Sequence, residues 1–216
     1  MTRPCGLARF GLAAAGILAA LTASPRARAA NDDGVYGRFD GDLELRAEAG
    51  AAIGAGGPAL AAGAAALYLG MVGIYLHYTD ALGGRAPHVA RSIATGVHWQ
   101  PLFLARYASG LERGPAHLDL FLDSFGLELG AFWDAPRDGP IRPRAGFDVA
   151  LAAALPILPR ATGPYLGVRA ALRWRAADLA GTDRGVVDRG AVVSLTLGWH
   201  HVVRARLVDP GDGLVR

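Results

Sequence analysis

The chain has 216 residues, with 22 basic side chains, all arginine, against 19 acidic ones, and a single cysteine, Cys5. A cysteine confined to the first few positions excludes a disulfide framework, a thiolate metal site and a cysteine nucleophile from everything that follows. Mean hydropathy is +0.25 and glycine is abundant at 30 residues, an apolar surplus that suits a fold partly solvated by lipid.

Residues 1–29 read as a secretory signal peptide. Arg3 and Arg9 give a positive start, Phe10 to Ala23 is apolar and uncharged, and Ala27-Arg28-Ala29 places small residues at both positions before a cut. Cys5 precedes the apolar run, so the lipoprotein type does not apply, and the run is short for a retained membrane helix. Cleavage removes Arg3, Arg9, Arg26 and Arg28 and no acid. That leaves 187 residues with 18 arginines and 19 carboxylates, a net charge of −1. The basic balance belongs to the leader, and a nucleic-acid-binding surface is excluded. Residues 30–216 are expected to form one domain, since no linker divides them.

Turn-forming residues punctuate this domain at Gly54 to Pro58, Asp80 to Pro87, Ser109 to Pro115, Asp134 to Pro143, Leu158 to Pro164 and Asp178 to Gly190. Seven segments lie between and around these breaks. In the first, Leu43, Leu45, Ala47, Ala49, Ala51 and Ile53 alternate with Asp42, Glu44, Arg46, Glu48 and Gly50. Period two predicts a strand, because a helix would scatter both sets around its circumference. The second segment contains Ala59 to Leu76, eighteen residues without charge. It reads as a barrel strand, with a single membrane helix as the alternative.

In the third segment Pro101 removes a ladder donor, which predicts an edge, a bulge or a barrel rim. In the fourth, Leu118, Leu120 and Leu122 lie on one phase and Phe125, Leu127, Leu129, Ala131 and Trp133 on the other. The slip near Asp123-Ser124 predicts a β-bulge, or a tight turn between two short strands. Farther on, Leu166, Val168, Ala170, Leu172 and Trp174 oppose Tyr165, Gly167, Arg169, Arg173 and Arg175. Finally Val193, Leu195, Leu197 and Trp199 oppose Ser194, Thr196, Gly198 and His200. Both patterns predict strands.

All four tryptophans fall on the apolar phase of their segments, and Trp133 and Trp174 sit near segment ends, where an interfacial girdle would hold them. Glu44, Arg46, Glu48, Arg169, Arg173 and Arg175 fall mid-segment on the polar phase. In a soluble β-sandwich, such as a periplasmic binding protein, these would be solvated outer-face charges. In a small membrane barrel they would point inward and neutralise one another across a narrow lumen, with the choice of partners left to shear and register. Hydropathy, leader and missing cysteines favour the barrel. Return of both termini to one side requires an even strand count, so eight strands are expected. The eighth is hidden on the N-terminal side, within Gly50 to Ala66.

The segments GDLELRAEAGAAIG, GPYLGVRAALRWR and GAVVSLTLGWHH resemble the strands of small Gram-negative outer-membrane β-barrel proteins, the eight-stranded OmpA-type and porin-like membrane domains. The resemblance is architectural and spans about residues 36–208. It implies an all-β, antiparallel, up-and-down transmembrane β-barrel in the cell outer membrane. Its lipids would be the principal partner, and the longer loops would be free to bind a surface ligand or envelope protein. No activity-specific motif accompanies it. A structural, envelope-integrity or surface-binding role without a cofactor is therefore expected ahead of a lipid-modifying hydrolase or acyltransferase.

The candidate chemistry is sparse. His200 and His201 are adjacent, so an intact strand points them to opposite faces and no shared metal is expected. His77, His88, His98 and His117 show no ligand spacing. Ser194, His200 and Glu128 can be assembled into a hydrolytic trio only on paper. The run Gly54-Ala55-Gly56-Gly57 lacks the lysine and strand–helix context of a phosphate loop.

Overall fold

A computed structural model describes residues 36–54, 57–82, 91–112, 114–135, 145–176 and 189–205. The expected signal peptide, His88 and most of the breaks after Asp80, Asp134 and Asp178 lie outside these residues. Eight strands form one closed antiparallel barrel in sequence order. They are β1 (Leu43–Gly54), β2 (Gly57–Tyr68), β3 (Val72–Ala81), β4 (Arg91–Trp99), β5 (Gly126–Ala135), β6 (Ala145–Pro156), β7 (Gly163–Arg175) and β8 (Arg189–Val203). Pairing of β1 with β8 closes the wall, which rules out the two-sheet sandwich. The single-helix alternative for Ala59 to Leu76 fails as well, because those residues lie in β2 and β3.

The eighth strand arises where the uncharged stretch folds back on itself. Met71 donates its N–H to Tyr68 O at 3.0 Å across a two-residue turn in which Leu69 (φ 51°) and Gly70 (φ 64°) are both left-handed. A hairpin turn of this hand is usually announced by Asn-Gly or Asp-Gly. Leu-Gly hides it. The extra strand is on the N-terminal side, but the unrecognised turn lies just beyond the Gly50 to Ala66 window.

The wall is staggered. Cross-strand partners lead from Glu44 through Leu67, Gly73, His98, Glu128, Ala150, Ala171 and Val192 back to Gly54, ten residues farther along β1. A stagger of ten over eight strands tilts each strand by roughly 40° from the barrel axis. Strands of 12 residues, such as β1 and β2, then rise roughly 30 Å along that axis.

Two short helices occupy the connection from β4 to β5. They are α1 (Pro101–Ala108) and α2 (Ala116–Asp123). They correct the strand reading of this region. Pro101 stands at the first helical position, where its missing N–H costs nothing, and Gly110 with φ 63° follows the end of α1. In α2 the buried residues are Asp119, Leu120 and Asp123, a helical spacing. The apparent slip at Asp123-Ser124 is the junction of a helix with β5, and Leu118, Leu120 and Leu122 do not share a strand face.

The connections after β2, β4 and β6 leave the barrel at the end where both termini lie; those after β1, β3, β5 and β7 leave at the other. The helices therefore cap the terminal end. The N-terminal segment packs onto them through a 3-10 turn, Arg38–Asp40. Ala161, in the turn after β6, donates its N–H to Tyr36 O at 2.8 Å, tying the three pieces together.

Candidate functional site: a charged lumen beneath a helical cap

Alternation along each strand sends one set of side chains into the lumen and the other outward. The outward set is apolar on every strand. Leu151 on β6 is 65% exposed and Leu195 on β8 is 60% exposed, although both lie mid-strand. Thr95 is the polar exception in the middle of the wall, and its hydroxyl donates to Tyr75 O at 2.6 Å. Among the described residues, charge on the outward phase is limited to Asp80 and its cross-strand partner Arg91, at the end away from the helices. Trp133 and Trp174 are outward near that same end, while Trp99 and Trp199 are outward near the capped end. Two aromatic rings thus bracket the apolar wall.

The inward set carries the charge. Asp148, on β6, is 0% exposed and sits opposite Arg173 on β7. Arg173 donates from Nε to Asp148 at 2.7 Å and from a terminal nitrogen to Ser92 Oγ at 2.9 Å. Arg169 donates from a terminal nitrogen to the other carboxylate oxygen of Asp148, and from its Nε to Glu128 at 2.6 Å. Tyr75 also donates to Asp148, at 3.2 Å. The two guanidinium groups stack near aromatic faces, Arg169 at 5.6 Å from the Tyr75 ring and Arg173 at 5.2 Å from Phe132. These rings, with Ala94, form the small apolar cluster inside the lumen.

Glu128 is shared further. His98 Nδ1 lies 2.9 Å from it and His77 Nε2 lies 3.4 Å from it. On its other side His77 faces Glu48 at 3.7 Å. Glu48 accepts from Tyr165 and Thr196 hydroxyls, each at 2.9 Å. Glycine makes room for this packing. A Cβ on Gly63 would stand 2.7 Å from Glu48 Oε1 and from His77 Nδ1, and one on Gly198 would overlap the Tyr165 ring. One gap among Arg46, Glu48, His77, His98, Glu128 and Tyr165 holds ≈ 40 Å³, room for about one or two waters.

Glu44, Arg46, Glu48, Arg169, Arg173 and Arg175 all lie on the inward phase of their strands, and their partners, which the sequence leaves open, are set by the register. Glu44 pairs with Arg46 of its own strand at 2.6 Å and lies 3.6 Å from His200. Glu48 uses hydroxyls and His77. Arg169 and Arg173 find Glu128 and Asp148, and Arg175 lies 3.9 Å from Asp134. The reason is register, since the β7 arginines stand beside β6 and not level with the β1 carboxylates. Asp148 is not singled out by the sequence, although it alternates cleanly with Phe147, Val149 and Leu151. That phase was the available signal.

The hydrolytic trio is not assembled. Ser194 and His200 lie six residues apart on β8, roughly 20 Å along the strand, and His200 faces Glu44 at 3.6 Å. His201 faces outward and His200 inward, as adjacent strand residues must. Among the described residues no group of three or more His, Cys, Asp or Glu side chains is arranged to hold a metal ion.

At the capped end a second charged cluster closes the lumen. Arg106, on α1, pairs with Asp119 and, at 3.2 Å, with Asp123. Arg38 lies 3.6 Å from Asp123 and stacks 4.4 Å above the Phe103 ring. Tyr36 donates to Asp119 at 2.8 Å. Its hydroxyl is pushed up to about 12, by burial and then by the hydrogen bond to that carboxylate. Burial, and next the neighbouring Asp123 carboxylate, raise the Glu112 carboxyl to about 7.

No known protein family, curated protein or solved structure matches the chain. The closed eight-stranded antiparallel barrel fits the architecture that the resemblance to small barrel proteins implied.

Proposed function

We propose that this chain is an outer-membrane β-barrel protein of a Gram-negative envelope, exported by the signal peptide at residues 1–29. Its role is structural, in envelope integrity or surface binding, and not catalytic. The observation that carries this reading is the inverted polarity of the wall, apolar outward on all eight strands with paired charges inward. In water that arrangement would expose an apolar surface far beyond what a soluble monomer tolerates. In a bilayer it is the required one, and closure leaves no unpaired strand edge. Strands rising roughly 30 Å match the hydrocarbon thickness.

A barrel of eight strands is only wide enough for side chains to fill, whereas aqueous channels need about twice as many strands. Here the lumen is filled by ion pairs and one end is capped, which favours a plugged barrel over a pore. Lipids of the outer membrane are the principal partner. The three longer connections, after β3, β5 and β7, leave from the uncapped end and are the part suited to a surface ligand or envelope protein.

Expression of the full chain in a Gram-negative host tests the proposal. The protein should fractionate with the outer membrane and shift in gel mobility on heating. In planar bilayers the pure protein should show no sustained porin-sized conductance. Recovery in the soluble periplasmic fraction would refute the location, and steady porin-sized steps would refute the plug.

A further inference from the structure

The insertion between β4 and β5 is built with the same polarity as the barrel wall. Each described charged side chain in residues 100–125, namely Arg106, Glu112, Asp119 and Asp123, is turned inward or largely buried. Apart from His117 and Ser109, the exposed side chains here are apolar, with Leu104 54%, Leu111 63% and Leu118 50% exposed. A helical hairpin standing in water does the reverse, burying its leucines and displaying its carboxylates.

We propose that the outer surface of this cap lies in the interfacial layer of the bilayer leaflet that surrounds the capped end, with lipid as its occupant. The inference rests on the membrane-spanning reading and extends it from the wall to the cap. Two features favour lipid over a docked protein. The first is continuity: Trp99, immediately before the insertion, faces outward on β4 and is 51% exposed, and Phe125, its last residue, is 39% exposed beside the start of β5, so the apolar cap surface begins and ends against the apolar belt. The second is distribution. Leu102, Leu104 and Tyr107 spread around more than half the circumference of α1, and all three are exposed. A protein partner covers one patch and meets it with a polar rim, while a surface helix in a membrane sinks about 5–10 Å into the headgroup boundary and is wetted by lipid on several sides.

The cap would then be a peripheral anchor as well as a plug. Its buried acids and arginines face the lumen mouth while its leucines hold the barrel at a fixed depth. Single-cysteine variants in a Cys5→Ser background test this, each labelled with an environment-sensitive fluorophore and reconstituted in phosphatidylethanolamine–phosphatidylglycerol vesicles. Leu104→Cys, Leu111→Cys and Leu118→Cys report on the cap, and Leu151→Cys and Leu195→Cys on the wall. All five positions are exposed, so labelling does not disturb packing. The expected result is loss of emission with nitroxide-bearing lipid, and no loss with aqueous iodide, at cap and wall alike. Iodide quenching at the cap with lipid quenching at the wall would overturn this inference, leaving a cap that stands in water or awaits a protein, while the membrane-spanning reading survives. Iodide quenching at both would overturn both.

Discussion

Asp148, fully buried in the lumen, accepts hydrogen bonds from Arg169, Arg173 and Tyr75. Removing one partner of a buried ion pair leaves an uncompensated charge, and here two guanidinium groups would lose their shared acceptor. Asp148→Ala should therefore cost about 3–5 kcal/mol, read as a lowered urea midpoint of the lipid-folded protein. Glu48→Ala should cost less, about 1–3 kcal/mol, because it removes an acceptor from two hydroxyls and one histidine. Equal losses would contradict the network as drawn. At this scale strand phase was legible in the sequence. Glu44, Arg46, Glu48, Arg169 and Arg173 are inward because they alternate with apolar neighbours. Partner choice was not legible, because it depends on a stagger of ten residues that no local pattern encodes.

The elements the sequence concealed are those whose local chemistry is atypical. Strands β1, β7 and β8 announce themselves by alternation; the hairpin joining β2 to β3 turns on Leu69-Gly70, and α2 alternates Leu with other residues as a strand would. Leu69 adopts φ 51°, a region that penalises a side chain other than Asn, Asp or Gly. Leu69→Asn should stabilise the barrel by roughly 0.5–1 kcal/mol, seen as a raised urea midpoint, and a lowered midpoint would show that the leucine side chain matters more than its backbone. In the cap, the Glu112 carboxyl is raised from 4.5 to about 7, so the folded state holds a proton that the unfolded chain releases. Its contribution is full below pH 4.5 and is lost as pH rises to about 7. Relative to Glu112→Gln, which stays neutral beside Asp123, the wild type should lose stability across that window and hold a constant deficit above it. A pH-independent difference in urea midpoint would contradict the buried, protonated carboxyl.

At the scale of the whole molecule one property joins wall, lumen and cap. Polarity is inverted relative to a protein solvated by water. The overall architecture was legible because a signal-like leader, surplus hydropathy and alternating segments agree with one another. The cap was not, since two eight-residue helices carry little periodicity of their own. Under the proposed membrane location, the inverted exterior would make folding depend on its solvent. Circular dichroism of residues 30–216 refolded from urea, with and without phospholipid vesicles, tests that dependence most directly. The account predicts a β-rich spectrum with vesicles and aggregation or an unfolded spectrum in plain buffer. A stable, monomeric, β-rich protein in plain buffer would contradict it.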